Sequence, residues 1–309
     1  MSWLFICATA LSGIGQVTRR YAKCVKDADL VDMGALPPRQ NYDFGFAFVL
    51  PFEEQLNVIE HYKRFCKKII YMTICETETV NPAYGLLVDR CRPLYVASEF
   101  CKKVFEKQFP KGDWRILHLY APPVTVPRFN VITEPYIFYT IGNVIDPRKN
   151  IYALLKAISH FPGARLLIKA TCNQSIKCDH PQVTVINTLL SDEQMENVHA
   201  KGHCYVNCSH SEGVGMGAVE AALRSKPVII TEYGGLKEYV QTPFIVPCEV
   251  KPIGFDDFLF TKDLEWGHPS FDDLLKHMTT CYEQRLTMWD HPHTSRLLAG
   301  VPTALESIQ

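Results

Sequence analysis

Short apolar runs alternate with helical patterns along almost the whole chain. The runs are rich in Val, Ile and aromatic residues and lack strict alternation with polar residues, as expected for strands covered on both faces. The stretches between them carry apolar residues at helical spacing. Repeated strand–helix alternation of this kind predicts an α/β fold built on doubly wound parallel sheets.

The predicted strands fall into two sets. The first set is Trp3–Ala10, Asp43–Val49, Lys68–Ile74, Pro93–Ala97 and Trp114–Leu119. The second set is Tyr136–Ile141, Arg165–Ala170, Val183–Ile186, Cys204–Asn207, Pro227–Thr231 and Phe244–Pro247. The predicted helices between them are Gln16–Val25, Glu53–Cys66, Ser98–Phe109, Asn150–Phe161, Ser191–Ala200 and Gly217–Arg224. Two such sets exceed one ordinary sheet, and a chain of 309 residues suits two domains.

We predict the domain boundary in the proline-rich segment Ala121–Pro135, which we interpret as an ordered connector. We therefore expect one α/β domain over residues 1–125 and a second over residues 126–275. The remaining residues, 276–309, are expected to form helices that pack back on the body of the protein.

Composition excludes several classes of protein. The formal net charge is −1, which gives no general attraction to nucleic acid or to an anionic membrane. The 12 cysteines are scattered in a chain long enough to form its own core, so we expect reduced thiols in a cytosol-like compartment. The apolar run Trp3–Leu11 is too short to span a bilayer and reads as a buried strand. A soluble, cytoplasmic protein is expected, and the sequence predicts no oligomeric state.

The strongest candidate motif is Ser209–Glu220, which follows the predicted strand Cys204–Asn207. Its loop carries Glu212 with Gly213 and Gly215, and the following helix carries Glu220. Glycines allow the backbone to approach a ligand closely, and a helix amino terminus favours phosphate. A glycine turn with two solvated acids is the alternative; the strands on both sides favour a binding site beyond the carboxyl ends of the sheet.

The segment Ile141–Asn150 carries two adjacent cations, Arg148 and Lys149, between a strand and a helix. Such a pair can neutralise a pyrophosphate leaving group. A solvated basic turn is the alternative on composition alone.

Two further segments follow predicted strands in the amino-terminal half. Leu11–Arg20 contains Gly13 and Gly15, but Thr18 replaces the last glycine of a dinucleotide fingerprint, which disfavours a nicotinamide-dependent oxidoreductase. Tyr71–Glu78 contains Glu76, which could align or deprotonate an acceptor hydroxyl. A solvated loop acid is an equal alternative for Glu76.

Five potential zinc ligands lie close together between positions 199 and 210. They are His199, His203, Cys204, Cys208 and His210. Their spacing lacks the paired-ligand pattern of zinc sites, so no metal is predicted. His210 instead is expected to line the site beside Glu212.

With these motifs in place, the chain resembles the retaining GT-B glycosyltransferases, specifically glycosyltransferase family 4. Glu212 and Glu220 match its Glu-x7-Glu pattern, Thr231–Val240 resembles its Gly-Gly-x-x-Glu segment, and Ser191–Met195 resembles the helix start before the motif strand. The resemblance covers most of residues 136–240. It implies a GT-B architecture, in which two doubly wound domains face each other across a cleft, with the donor in the carboxyl-terminal domain.

The resemblance also implies roles for single residues. The first Glu of the pattern contacts the donor sugar, the second binds the ribose hydroxyls, and Lys149 matches a lysine that contacts the donor phosphates. Asn143 stands where the family has an arginine, so Arg148 is expected to take over part of that charge. Many relatives have a histidine near position 75 or 76, where this chain has Cys75 and Glu76.

The predicted function is a retaining, metal-independent hexosyltransferase that moves a sugar from a nucleotide sugar to a hydroxyl acceptor. A GDP-sugar such as GDP-mannose is favoured, with the base near Asn187–Leu190. The predicted catalytic residues are Glu212, Lys149, Arg148 and Glu76. The predicted donor-binding residues are Gly13, Gly15, Asn143, Lys149, Leu190, His210, Gly213, Val214, Gly215 and Glu220. The alternative, motivated by the missing arginine and histidine, is a nucleotide-sugar-binding protein with lost or weak catalysis.

Overall fold

A computed structural model describes residues 1–8, 13–124, 134–171, 175–257 and 259–308. The chain divides into two compact units. Unit 1 comprises Met1–Pro122, Ile253–Leu264 and Leu297–Gln309, and unit 2 comprises Pro123–Pro252 and Glu265–Arg296. The boundary predicted at residues 125 and 126 lies outside the described residues.

Unit 1 is built on a six-stranded parallel sheet with the order β2-β1-β3-β4-β5-β6. The strands are β1 (Trp3–Cys7), β2 (Ala28–Asp32), β3 (Tyr42–Phe48), β4 (Cys66–Thr73), β5 (Leu94–Val96) and β6 (Trp114–Ile116). The helices are α1 (Gly13–Lys23), α2 (Glu53–Glu60), α3 (Gly85–Arg90) and α4 (Glu99–Gln108).

Unit 2 is built on a second six-stranded parallel sheet with the order β12-β11-β10-β7-β8-β9. The strands are β7 (Tyr136–Gly142), β8 (Ala164–Ala170), β9 (Val183–Ile186), β10 (Cys204–Asn207), β11 (Val228–Thr231) and β12 (Ile245–Val246). The helices are α5 (Ile151–Ile158), α6 (Asp192–Lys201), α7 (Met216–Leu223), α8 (Leu236–Tyr239) and α9 (Phe271–Glu283). An antiparallel hairpin, β13 (Cys248–Pro252) with β14 (Glu265–Pro269), completes the unit.

The chain ends in α10 (Pro292–Ala299) and α11 (Val301–Glu306). The sequence predicts one helical segment over residues 276–309. In the structure α9 begins at Phe271, five residues before this segment, and α10 and α11 lie within it. Residues from 297 onward group with unit 1. No helix within the described ranges is both long enough and apolar enough to cross a membrane.

The predicted α/β fold with two parallel sheets is confirmed, and each predicted strand has an observed counterpart. The sequence analysis missed β2, and it missed the hairpin of β13 and β14. Strand β2 lies at the sheet edge and buries only Val31, while four of the five residues of β13 are exposed. Neither segment therefore carries the apolar run from which the other strands were predicted.

Two glycines allow α6 and α7 to lie close to one face of the unit 2 sheet. Tyr139 of β7 and Tyr205 of β10 are buried on that face and meet edge to face, with ring centroids 5.1 Å apart. A Cβ atom at Gly202 would overlap the ring of Tyr139, and one at Gly217 would overlap the hydroxyl of Tyr205. The aromatic residues of this face thus require glycine at both positions.

We predict that Gly202→Ala destabilises the protein by about 1–3 kcal/mol, because overpacking a rigid core costs that much. The backbone at Gly202 has φ −74°, which alanine adopts without strain, so the loss measures the overlap alone. Gly142→Ala is the control, since its Cβ would meet Lys149 Cε at an ordinary 3.7 Å. Urea unfolding monitored by circular dichroism measures both variants, and equal stability of the two would contradict the prediction.

Candidate functional site

The loop after β10 holds the predicted motif in a tightly defined shape. Glu212 lies in this loop and is 5% exposed. Gly215 has φ +72° at the start of α7, and Gly234 has φ +85° in the neighbouring loop. A Cβ at Gly234 would overlap the carbonyl oxygen of Glu212, which instead accepts a hydrogen bond from Gly235 N at 2.8 Å. Glycine is therefore required at both positions for this loop arrangement.

Four side chains donate hydrogen bonds to the buried carboxylate of Glu212. Lys149 Nζ lies 2.5 Å from Oε1, Ser209 Oγ 2.8 Å and Asn207 Nδ2 3.2 Å. Arg148 Nη1 lies 3.2 Å from Oε2. A buried carboxylate is stable only when its charge and lone pairs are matched in this way.

The electrostatic balance keeps Glu212 ionised. Burial alone raises the pKa of a carboxyl group, but the charges of Lys149 and Arg148, helped by hydrogen bonds from Lys149 and Ser209, outweigh it. The pKa of Glu212 is lowered to about 2. The site therefore presents a carboxylate anion at neutral pH.

The two predicted phosphate-binding cations have different surroundings. Both lie on a 3-10 turn, Pro147–Lys149, that follows β7. Arg148 is buried, and its guanidinium also donates to Ser211 O at 2.7 Å and pairs with Asp146 at 3.1 Å. Lys149 instead lines a small pocket with Gly142, Val144 and Ser209, beside Glu212. The structure thus places Arg148 inside the loop packing and Lys149 at a pocket wall.

Glu220 lies on α7, and its side chain is 14% exposed. Its Oε2 is 3.5 Å from Nε2 of His199, a buried residue of α6. Arg224, directly after α7, donates to the carbonyl oxygen of Glu220 at 2.7 Å and pairs with Glu196 of α6. The second acid of the motif therefore lies on α7 and contacts a buried residue of α6.

The other predicted donor residues of unit 2 lie on the loops after β7, β9 and β10. Gly213 and Val214 are buried in the loop, whereas Asn143 is exposed at the end of β7. Asn143 O accepts a hydrogen bond from Asp146 N at 3.1 Å. Leu190 is half-buried and directly precedes the capping box of α6.

His210 is packed against the hairpin of β13 and β14. Its ring stacks on Trp266 with centroids 4.9 Å apart, and Nδ1 lies 2.8 Å from Gly267 O. Burial lowers the pKa of His210, the Gly267 carbonyl partly offsets this, and His268 lowers it further. The imidazole of His210 is therefore neutral. It joins the hairpin to the loop that carries Glu212.

Three predicted site residues lie in unit 1. Gly13 and Gly15 fall in the first turn of α1, and the preceding Leu11 and Ser12 lie outside the described residues. Glu76 is half-buried after β4. The structure therefore brings Glu212, Lys149 and Arg148 together within unit 2. Gly13, Gly15 and Glu76 belong to unit 1.

Among the described residues, no group of three or more His, Cys, Asp or Glu side chains could hold a metal ion. The suspected ligands have individual partners: His203 Nδ1, for example, accepts from Ile137 N at 2.8 Å. In unit 1, Asp27 and Asp29 form an Asp-x-Asp sequence, and Arg39 pairs with both carboxylates at 2.7 and 2.6 Å. Metal-independence stays a prediction.

The sequence analysis assigned no role to Asn207, Ser209, Asp146 or His199. The first two were signalled by their position, since polar residues at the carboxyl end of a buried strand lie at the ligand edge of a parallel sheet. Asp146 lies two positions before Arg148, with Pro147 between them. His199 carried no such signal, because its contact with Glu220 joins two helices.

Residues 135–253 match the family model for group 1 glycosyl transferases. No curated protein is significantly similar to the chain in sequence. Among solved structures, the chain is similar to HepE of Anabaena in complex with UDP and glucose, with a TM-score of 0.65, 14% identity and 100% of both chains covered. It is also similar to sucrose-phosphate synthase from Thermosynechococcus elongatus, with a TM-score of 0.62, 12% identity and 100% of both chains covered. The pneumococcal O-GlcNAc transferase GtfA with UDP and GlcNAc gives a TM-score of 0.54 and 11% identity, over 84% of this chain and 53% of that one.

These likenesses confirm the predicted GT-B fold class. The matched family segment contains the Glu212 cluster and Glu220, and together with the fold it supports a glycosyltransferase of GT-B architecture. Membership of glycosyltransferase family 4 stays a prediction.

We predict that the stability contributed by Glu212 is lost in acid. Its pKa is lowered from 4.5 to about 2 on folding, so the contribution is full above pH 4.5 and falls away towards pH 2. By pH 3 about 2 kcal/mol should be lost, which follows from linkage between those two pKa values. The stability difference between wild type and Glu212→Gln, measured by urea unfolding at pH 6 and pH 3, should shrink by this amount. Glu193→Gln, on the exposed side of α6, is the control, and a pH-independent difference for Glu212→Gln would contradict the prediction.

Proposed function

We propose that the protein transfers a sugar from a nucleotide sugar to a hydroxyl acceptor, with retention at the anomeric carbon and without a metal ion. The observation that carries the proposal is the ion cluster of Glu212, Lys149 and Arg148 at the carboxyl edge of the unit 2 sheet. It lies in the segment that matches the group 1 glycosyl transferase model. Glu220, the second acid of the same motif, lies about one turn into α7, which begins at Met216.

Lys149 is the proposed electrostatic catalyst. Transfer expels a nucleoside diphosphate, and a cation at the leaving oxygen stabilises the charge that develops there. Lys149 lines the pocket and contacts Glu212 through its flexible end, so it can move its ammonium to a bound diphosphate. Arg148, Ser209 and Asn207 stay on Glu212 and keep the carboxylate compensated when Lys149 moves.

The amino end of α7 supplies a second phosphate contact in this proposal. Gly215 precedes the helix and has no side chain to cap it. Ala218 N and Val219 N already donate to Gly215 O, at 2.9 and 3.2 Å. The N–H groups of Met216 and Gly217 are the ones proposed to donate to a diphosphate oxygen. Glu212 orients the sugar, and Glu220 binds the ribose hydroxyls, as the resemblance to family 4 implies.

The sequence analysis favoured a GDP-sugar, but the similar structures of HepE and GtfA were solved with UDP, so UDP-sugars are tested alongside GDP-mannose. Glu76 is the proposed residue for aligning the acceptor hydroxyl. Gly13 and Gly15, in the first turn of α1, are proposed donor contacts, and this role rests on the resemblance.

The second candidate is a nucleotide-sugar-binding protein without efficient transfer. The exposed Asn143 at the position of the family arginine motivates it, because one cation fewer faces the diphosphate. Binding without turnover distinguishes it from the enzyme.

The proposed function predicts that one donor both stabilises the protein and is consumed. Purified protein is incubated with UDP-glucose, UDP-N-acetylglucosamine or GDP-mannose, each with and without EDTA. We expect a rise in melting temperature and nucleotide release with one of them, unaffected by EDTA, and retained configuration in the product by NMR. Binding without release would support the second candidate, and no effect of any donor would contradict both.

Lys149→Met should lower kcat about a hundredfold, since removing one preorganised charge from a transition state costs at least that much. Lys201→Met is the control, because Lys201 is an exposed lysine at the end of α6. Steady-state kinetics with the preferred donor measures both. Equal activity of the two variants would remove Lys149 from the mechanism.

A further inference from the structure

A buried chain of three polar side chains ends on Glu220. Tyr139 Oη lies 3.0 Å from His199 Nδ1, and His199 Nε2 lies 3.5 Å from Glu220 Oε2. Tyr139 is fully buried, and His199 is 1% exposed. The rings of Tyr139 and His199 meet edge to face at 5.6 Å, so packing also fixes their orientation.

The protonation states of Tyr139 and His199 decide which group donates to which. Burial raises the pKa of Tyr139 well above its usual range, so its hydroxyl keeps its proton. Burial also lowers the pKa of His199, against the opposing effect of Glu220, which leaves a neutral imidazole with one N–H. A carboxylate can only accept, so the tautomer that fits Glu220 carries its proton on Nε2. Tyr139 then donates to Nδ1. Nε2 of His199 is a buried atom without a hydrogen-bond partner among the described residues, and it lies 3.5 Å from Glu220 Oε2.

The distance of 3.5 Å between His199 Nε2 and Glu220 Oε2 is long for a hydrogen bond. Contacts of this kind often tighten when a ligand completes the site. Glu196 and Arg224 also act electrostatically on His199, and they pair with each other between the same two helices, α6 and α7. The Glu196–Arg224 ion pair and the His199–Glu220 contact both join these helices.

We propose that His199 is a positioning residue that orients the Glu220 carboxylate towards the vicinal diol of the donor ribose. The inference rests on the proposed function. One carboxylate can accept from two neighbouring hydroxyls only if its plane faces the diol, and rotation about the last side-chain torsion is otherwise nearly free. The N–H of His199, fixed in turn by Tyr139, restricts that rotation at one oxygen. Orienting the carboxylate before binding removes part of the ordering cost.

The experiment compares a nucleoside diphosphate with its 2′-deoxy counterpart. Isothermal titration calorimetry measures the dissociation constants of UDP and 2′-deoxy-UDP, or of GDP and 2′-deoxy-GDP if the wild type prefers guanine. The wild type should bind the ribonucleotide about tenfold more tightly, as expected for a hydrogen bond to a charged group. Glu220→Gln and His199→Phe should each reduce this ratio several-fold. His199→Gln, which restores an N–H near the position of Nε2, should recover part of it.

The double variant His199→Phe/Glu220→Gln separates positioning from mere packing. If His199 acts through Glu220, the double variant keeps the ratio of Glu220→Gln alone, since coupled residues are not additive. Glu196→Gln breaks the other link between α6 and α7 and should leave the ratio unchanged. These outcomes support the proposal.

A ratio that survives in His199→Phe but falls in Glu220→Gln overturns the positioning role and leaves the proposed function intact. Loss of the ratio in Glu196→Gln as well would overturn it too, because general loosening of the helices would then explain the effect. Absence of any nucleotide binding by the folded wild type contradicts the proposed function itself, and the positioning role with it.

Discussion

The buried charge of Glu212 is the constraint on which the local architecture of unit 2 depends. An unpaired carboxylate in this position would cost several kcal/mol, so the surrounding segments must deliver donors to it. The turn after β7 brings Lys149 and Arg148, and the end of β10 brings Asn207 and Ser209. The neighbouring loop must also approach without a side chain at Gly234. Segments far apart in sequence are thus fixed by one ionised group.

The fold could be predicted because its determinants are local in sequence. A strand covered on both faces must be apolar along its length, and a helix beside it must be apolar on one side, so the pattern states the architecture directly. The same reasoning explains the misses. The edge strand β2 buries only Val31, and the largely exposed β13 is held by pairing with a strand that starts 13 positions after its own last residue, at Glu265. Pairing between distant polar segments leaves no periodic signal.

The site could be predicted only in part, for the same physical reason. Glu212, Lys149 and Glu220 could be proposed from the sequence because they match motifs of the family that the chain resembles, and the glycines after Glu212 indicate a loop before a helix start. The sequence could not separate Arg148 from its neighbour, since two adjacent cations look alike until Asp146 and Ser211 O are seen to enclose one of them. The contact of His199 with Glu220 could not be predicted from the sequence, because its partners Tyr139 and Glu220 come from a strand and a different helix. Which side chains share a surface is decided by the packing of elements.

Arg148 and Lys149 have different surroundings, and this difference affects the charge balance of the proposed site, which has Asn143 where the family has an arginine. In the structure the cluster pairs two carboxylates, Glu212 and Asp146, with two cations, Arg148 and Lys149. When Lys149 moves to a diphosphate, as proposed, Arg148 remains between the two carboxylates, and the cluster is left with one net negative charge. Transfer of a glycosyl group passes through a transition state in which the sugar ring gains positive charge, as in glycoside hydrolysis. In the proposed mechanism, the movement of Lys149 therefore serves both ends of the breaking bond: its ammonium offsets part of the charge of the leaving diphosphate, and the cluster that it leaves gives a negative field beside the sugar.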